Sequence, residues 1–174
     1  FSVWSSEAYR NTLAPSKALY NRLRDPLIGG ARSALIKDVS TPAKTDFYVQ
    51  LLYWRSNNDN PTYLFRLAEQ YLIRSEARSK KETPDLVGAL ADLNAVRNRS
   101  SIASFESTSR EEILLAIEEE RRVEFAFEPH RWFDLVRTGR AGTVLGVNDT
   151  QKWIFPIPYN DLAADPALVQ NPGY

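Results

Sequence analysis

From about residue 61 onward, apolar residues recur at intervals of three and four, the period of a helix with one buried face. Leu64, Leu67, Ala68, Tyr71, Leu72 and Ser75 form one such stripe and predict a helix from about Pro61 to Lys80, with Asn60 as cap and Pro61 in the first turn. Thr83-Pro84 repeats that cap-and-proline device. Leu86, Ala89, Leu90, Leu93 and Val96 then mark a second helix to about Arg99. The connection is short, so the two helices form an antiparallel pair, and the small Ala68 and Ala77 let a partner come close. Ser109-Arg110-Glu111-Glu112 fits a capping box, with Ser109 as cap and Glu112 reaching back. The helix it opens runs to about Phe127 on an inner stripe of Ile113, Ala116, Ile117 and Phe127, joined by the stem of Arg121 or by Val123. Pro129 ends it and starts another, about His130 to Arg137, with Gly139 as its stop.

The rest of the pattern is shorter. Leu19, Tyr20 and Leu23 share a helical face between Pro15-Ser16 and Asp25-Pro26, and Gly29-Gly30 marks a loop. Asp46 to Arg55 holds Tyr48, Val49, Leu51, Leu52, Tyr53 and Trp54 without a breaker and reads as a strand. Ser56 to Asn60 is a loop by composition. Ile154 to Ile157 reads as a short extended segment, held to a sheet edge because Pro156 and Pro158 cannot donate. Asn160 can start one more helical turn, and Asp165-Pro166 and Asn171-Pro172-Gly173 are turns. Long helices with a few short strands predict a mostly α fold.

Composition narrows the function. The chain has 174 residues, with 22 Lys+Arg against 22 Asp+Glu, so it lacks the basic excess that nucleic-acid binding needs. It has no Cys, which removes disulfides, thiol nucleophiles and Cys-based zinc sites. No apolar run approaches the roughly 20 residues of a membrane helix. The chain starts at Phe1, contains no Met and shows no signal peptide, as expected of a fragment of a longer protein.

Glu120 to Arg140 concentrates charge among large aromatics. Glu120, Glu124 and Glu128 lie four apart on one helical face. Paired carboxylates can do acid–base work on glycosides. Here Arg121, Arg122 and Arg131 stand close enough to neutralise them. The expected role is therefore a structural ion-pair network of Glu120, Arg121, Glu124, Glu128, Arg131 and Asp134, with Arg131 at least partly buried. His130 is the only His and has no ligand-spaced companions, so no metal site is expected and the residue should face solvent. Neither a Gly-x-Ser-x-Gly nucleophile motif nor a Gly-rich phosphate loop is present. No cofactor and no catalytic residue is expected.

Three blocks of sequence stand in order: Arg66-Leu67-Ala68-Glu69-Gln70-Tyr71-Leu72-Ile73-Arg74-Ser75-Glu76-Ala77; Glu120-Arg121-Arg122-Val123-Glu124-Phe125 running into Glu128-Pro129-His130-Arg131-Trp132-Phe133-Asp134-Leu135; and Phe155-Pro156-Ile157-Pro158, followed by Asp165-Pro166-Ala167-Leu168 and Gln170-Asn171-Pro172-Gly173-Tyr174. Together they resemble the RagB/SusD family of glycan-binding outer-membrane lipoproteins. Their order and spacing are similar to the C-terminal part of that family and cover about Tyr48 to Tyr174. The family's Glu-Gly is Glu128-Pro129 here, so the turn between those helices should differ. The family's Asp-x-Arg pair after the first helix is matched only by the more distant Asp25 and Arg32.

The resemblance implies a mostly helical SusD-like C-terminal domain, residues 1–174. Within it, residues 61–99 resemble a tetratricopeptide-type hairpin, one unit that cannot bury its own face. It further implies a surface lipoprotein of the outer membrane, anchored only by a lipid on the full-length protein. That protein would bind an oligo- or polysaccharide and cap a SusC-like TonB-dependent transporter. The family blocks look like scaffold, so no ligand contact carries over. Sugar faces stack on Trp and Tyr while hydroxyls take Asn and Arg. On that ground Trp54 with Arg55, Asn57 and Asn58 is the candidate site, followed by Trp4 and Tyr9. Trp132, Phe133, Trp153 and Phe155 are expected in the core. Two other readings stay open: a helical protein-docking module, which needs a large apolar patch, and a glycoside hydrolase, which needs two free carboxylates across a cleft.

Overall fold

A computed structural model describes residues 14–52 and 63–174. The chain forms two compact units, Phe1–Glu128 and Pro129–Tyr174.

The first unit begins with α1, Lys17–Arg24. Ser16 caps it by accepting from the Leu19 N–H at 3.2 Å, and the helix stops at Asp25, whose backbone is extended ahead of Pro26. A 3₁₀ turn, Gly30–Leu35, leads into an antiparallel hairpin of β1, Ile36–Asp38, and β2, Tyr48–Gln50, in the register Ile36↔Gln50, Lys37↔Val49 and Asp38↔Tyr48. The strand expected over 46–55 is therefore three residues long among those described. β1 offers only three partners, and Asp46 already has left-handed backbone (φ 54°).

Three long helices follow: α2, Leu67–Lys80; α3, Leu86–Arg99; and α4, Arg110–Glu124. Helix α2 starts at Leu67 instead of Pro61. Arg66 is extended (φ −130°, ψ 144°), which turns its side chain onto α4. As a result Leu64 and Leu67 are exposed, and the buried stripe of α2 is Ala68, Leu72, Ser75 and Ser79. Asp85, rather than Thr83, caps α3, accepting from the Gly88 N–H at 2.9 Å. Ser109 caps α4 as its sequence predicts. Glu112, however, takes the Ser107 hydroxyl at 2.6 Å, and Ser107 Oγ accepts the Ser109 N–H at 2.9 Å.

Helices α2 and α3 approach through small residues. Ser75 Oγ donates to the Ala89 carbonyl at 2.7 Å and Ser79 Oγ to the Ser75 carbonyl at 3.0 Å, both fully buried. Ala77, expected in this seam, is exposed. The main core is Ala68 and Leu72 of α2, Ala89, Leu93 and Val96 of α3, Ile113 and Ile117 of α4, and Phe125. A second cluster joins Leu23, Ile36 and Tyr48 to Val123 and Ala126, with Phe127 packed against it. Phe127, expected inside α4, lies beyond the helix end in left-handed backbone (φ 73°), a conformation costing about 1–2 kcal/mol for a bulky residue.

In the second unit, α5 spans Arg131–Arg137, α6 Ala141–Leu145 and α7 Tyr159–Ala164, with a 3₁₀ turn at Thr150–Trp153. Half-buried His130 is the N-cap residue of α5. Gly139 (φ 71°) stops α5 through Gly139 N–H to Val136 and Arg140 N–H to Leu135, a Schellman pair of bonds. The Ile154–Ile157 segment joins no strand. Gln170 instead bonds the Ile157 N–H (2.8 Å) and carbonyl (3.0 Å) with its side-chain amide, and Asn171 donates to the Phe155 carbonyl at 2.8 Å. Phe133 and Phe155 are exposed and Trp132 and Trp153 half-buried, contrary to the core placement expected from sequence. The unit is too small to enclose them: α5 is two turns long and buries only Asp134 and Leu135.

Leu72→Ala, at a fully buried position facing both α3 and α4, should cost about 2–5 kcal/mol. Urea unfolding of the two proteins measures it, and a midpoint unchanged at constant slope would show that α2 is not packed as described.

Candidate functional site

The chemistry gathers at the C-terminal half of α4. A spacing of four puts Glu120 and Glu124 on one face, where both are buried. Glu128 joins them because the turn after α4, closed by Glu128 N–H to the Phe125 carbonyl, folds it back. Four arginines from other segments meet these three carboxylates. Arg32, on the 3₁₀ turn and 5% exposed, donates Nε to Glu124 at 2.8 Å and Nη2 to Glu120. Arg66 places Nη1 on Glu124 at 2.7 Å and Nη2 on Glu128 at 2.7 Å. The same Nη2 caps the Glu124 carbonyl at 2.8 Å, one of the acceptors a helix end leaves without a partner. From the last turn of α3, Arg97 Nη1 reaches Glu120 at 3.2 Å and Arg99 Nη2 reaches both Glu124 oxygens at 2.7 and 2.6 Å.

The glutamates of the anticipated network thus stand together, with arginines the sequence did not single out. Arg121 is buried, 3.9 Å from Glu69 and over the Phe125 ring. Arg122 lies 3.8 Å from Glu119. In the second unit Asp134 takes Arg137 at 2.8 Å, and Arg131, half-buried, opens α5. Trp54, Arg55, Asn57, Asn58, Trp4 and Tyr9 lie outside the described residues.

One signal pointed to Arg32. Gly29-Gly30 precedes it, and a Cβ on Gly30 would stand 2.2 Å from the Ser100 carbonyl. The close approach lets Ala31 N–H bond that carbonyl at 2.9 Å and directs the next residue inward. Arg97 and Arg99 gave no such signal. Cations in a last helical turn usually face solvent.

Burial alone would raise the Glu124 carboxyl. The Arg99 hydrogen bonds and the charges of Arg32, Arg66 and Arg99 outweigh it and hold the group below the usual carboxylate range. A carboxylate so held neither gives nor takes a proton near neutrality, and its oxygens are occupied. Among the described residues no group of three His, Asp or Glu is placed to hold a metal ion, and no helix is long and apolar enough to cross a membrane.

A further buried carboxylate, Asp92 on α3, receives Arg74 Nε and Nη2 at 2.8 and 2.6 Å and Arg78 Nη1 at 2.8 Å. Arg74 borders a groove of about 470 Å³ along α2, lined by Leu67, Gln70, Tyr71, Ile73 and Arg74.

Compared with known sequences, residues 44–149 match the SusD family. The chain belongs to the SusD family. A SusD-like protein of Formosa agariphila is 32% identical over an alignment of 131 residues that covers 68% of this chain and 26% of that protein. The starch-binding protein SusD of Bacteroides thetaiotaomicron is 31% identical over an alignment of 128 residues that covers 67% of this chain and 22% of that one. This SusD-family chain thus spans about a quarter of the curated relatives it matches. A solved SusD-like protein from Bacteroides fragilis superposes at a TM-score of 0.60 with 27% identity, over 77% of this chain and 32% of that one. A SusD superfamily protein from Bacteroides vulgatus shares the fold at 0.73 with 19% identity, over 92% and 44%. The mostly helical fold is thereby that of the family.

Glu124→Gln removes the charge that three arginines share. It should cost about 3–5 kcal/mol, because buried Arg32 loses one of its two carboxylates and Arg66 and Arg99 lose theirs at the same point. Exposed Glu111→Gln should stay within about 0.5 kcal/mol. The folded Glu124 carboxyl titrates below its unfolded value of about 4.3. Its contribution is therefore complete above that pH and is lost as pH falls through the folded value. Acid titration of stability should be shallower in Glu124→Gln than in wild type, and equal slopes would mean that Glu124 is not held low.

Proposed function

We propose that this chain is part of a non-catalytic glycan-binding component of an outer-membrane nutrient-uptake system, and that it works by capture and hand-off. The observation that carries the reading is the family match over residues 44–149, together with a relative named for binding starch. On this reading the full-length protein is a surface lipoprotein. Its partners are an oligo- or polysaccharide and a SusC-like TonB-dependent transporter. Helices α2 and α3 serve as a tetratricopeptide-like pair within a SusD-like domain of residues 1–174. The ion-paired helices act as scaffold, and the sugar site draws on other segments, with Trp54, Arg55, Asn57 and Asn58 the first candidates and Trp4 and Tyr9 after them.

A hydrolase needs one carboxylate free to donate a proton and another free to attack or activate water. Glu120, Glu124 and Glu128 are buried and bonded to guanidinium groups, which argues for binding without bond cleavage. The protein-docking alternative is favoured by one observation, the run of exposed apolar side chains at Leu64, Phe65 and Leu67.

Two measurements test the proposal. The purified chain should turn over no oligosaccharide, and turnover abolished by Glu124→Gln would falsify the non-catalytic reading. Calorimetry should find a glycan that the full-length protein binds and that the 174-residue chain binds weakly or not at all, since each 1.4 kcal/mol of lost contact is about tenfold in affinity. Equal affinity would place the sugar site within these residues, with Trp54→Ala the next variant.

A further inference from the structure

Charge does not balance in the cluster at the end of α4. Arg32, Arg66, Arg97 and Arg99 meet Glu120, Glu124 and Glu128, four guanidinium groups against three carboxylates. Every one of those carboxylate oxygens is already engaged. Glu120 accepts from Arg32 and Arg97, both Glu124 oxygens accept twice, and the two Glu128 oxygens accept from Nη2 and Nε of Arg66. Other carboxylates of the unit have cations of their own. Arg22 and Arg122 lie against Glu119, and Arg121 lies against Glu69.

The surplus falls on Arg32. Its Nε and Nη2 are occupied by Glu124 and Glu120, while its Nη1 is buried with no hydrogen-bond partner among the described residues. Arg66, Arg97 and Arg99 keep between 18% and 53% of their side chains exposed, so water can hydrate them. The Arg32 side chain is 5% exposed. A buried donor without an acceptor is costly, more so on a cation, and a guanidinium cannot escape by losing its proton. Nor can the residue withdraw, since the close contact of Gly30 with Ser100 and the Ala31 N–H bond to the Ser100 carbonyl fix the turn that carries it.

We propose that Arg32 Nη1 binds a monatomic anion of chloride size, held against the 3₁₀ turn inside the first unit. One such ion supplies the missing acceptor and the missing negative charge together. Water would leave the charge in place, and its own hydrogens would need acceptors where donors are already in excess. A tetrahedral oxyanion would turn further oxygens toward a place with one open nitrogen. A halide does neither, and its attraction to the guanidinium is strong where solvent is excluded. The ion fastens the 3₁₀ turn to α4, so chloride favours the folded state by mass action. Binding there is independent of the nutrient that the protein captures.

Bromide is the probe, because it takes the place of chloride and scatters anomalously. Crystals of the full-length protein soaked in sodium bromide should show an anomalous peak within hydrogen-bonding reach of Arg32 Nη1. In solution at constant ionic strength, replacing gluconate with chloride should raise the melting temperature by about 3 °C or more. Arg32→Gln should abolish that rise and exposed Arg24→Gln should keep it. If Arg32→Gln does not fold, the bromide map decides alone. Peaks only at exposed side chains such as Arg99 would mean an adventitious ion only and overturn the proposal. A water at Nη1 without anomalous signal overturns it, and so does a protein acceptor bonded there. A chloride response undiminished in Arg32→Gln overturns it as well.

Discussion

Everything in the first unit is organised around the need to neutralise Glu124. Its side chain is 1% exposed and carries a full charge. A lone carboxylate in that position would cost several kcal/mol. The cost is offset only if cations arrive with good geometry, and the buried Arg121 of helix α4 lies against Glu69 and the Phe125 ring. They come instead from the 3₁₀ turn, from the residue that opens α2 and from the last turn of α3. Three connections in the chain must therefore be in place at once. The extended backbone of Arg66, the glycine contact against Ser100 and the place where α3 ends are all consequences of that one requirement.

Such a network gives specificity more readily than raw stability. A hydrophobic cluster of the same volume would hold the helices at least as well. It would, however, tolerate a rotated or slipped helix, which an arginine forked between Glu124 and Glu128 does not. The apolar core of Leu72, Leu93, Ile113 and Ile117 supplies the driving force, and the charged cluster selects one arrangement from those the core would accept. Asp92 repeats the device on a smaller scale, tying Arg74 and Arg78 of α2 to the middle of α3.

Much of this was legible in the sequence, and the exceptions share a cause. Helix period found α3 and α4 and, but for its start, α2. Ser109 and Gly139 marked real helix ends, and three ordered blocks identified the family. Local pattern failed where a distant partner decided the outcome. Pro61 looked like a helix start, but Arg66 is held extended by glutamates some sixty residues away. Glu120, Glu124 and Glu128 were recognised as a set while their partners were sought on the same stretch, because spacing along a helix reveals neighbours and says nothing of what another segment brings. Asp92 sits among apolar residues of α3 and becomes intelligible only once Arg74 and Arg78 are seen beside it. The aromatics of the second unit were misread by the opposite error. Trp132, Phe133 and Phe155 have core composition, but a unit of a few short elements lacks the volume to enclose them.

Gln170 shows how such a small unit can hold a segment that no strand can join. Between Pro156 and Pro158, Ile157 has the only N–H available to a partner, and the Gln170 amide meets both that N–H and the carbonyl, as a neighbouring peptide would. A primary amide suits this because it carries a donor and an acceptor on one planar, uncharged head. Deamidation of this single side chain to a carboxylate would alter the chain by less than a dalton. It would leave the Ile157 carbonyl facing an oxygen instead of a hydrogen. Chemical ageing at residue 170 would thus unfasten the tail at Ile157 without cutting any bond of the backbone, leaving Asn171 and Tyr174 to hold it at Phe155 and Ile154.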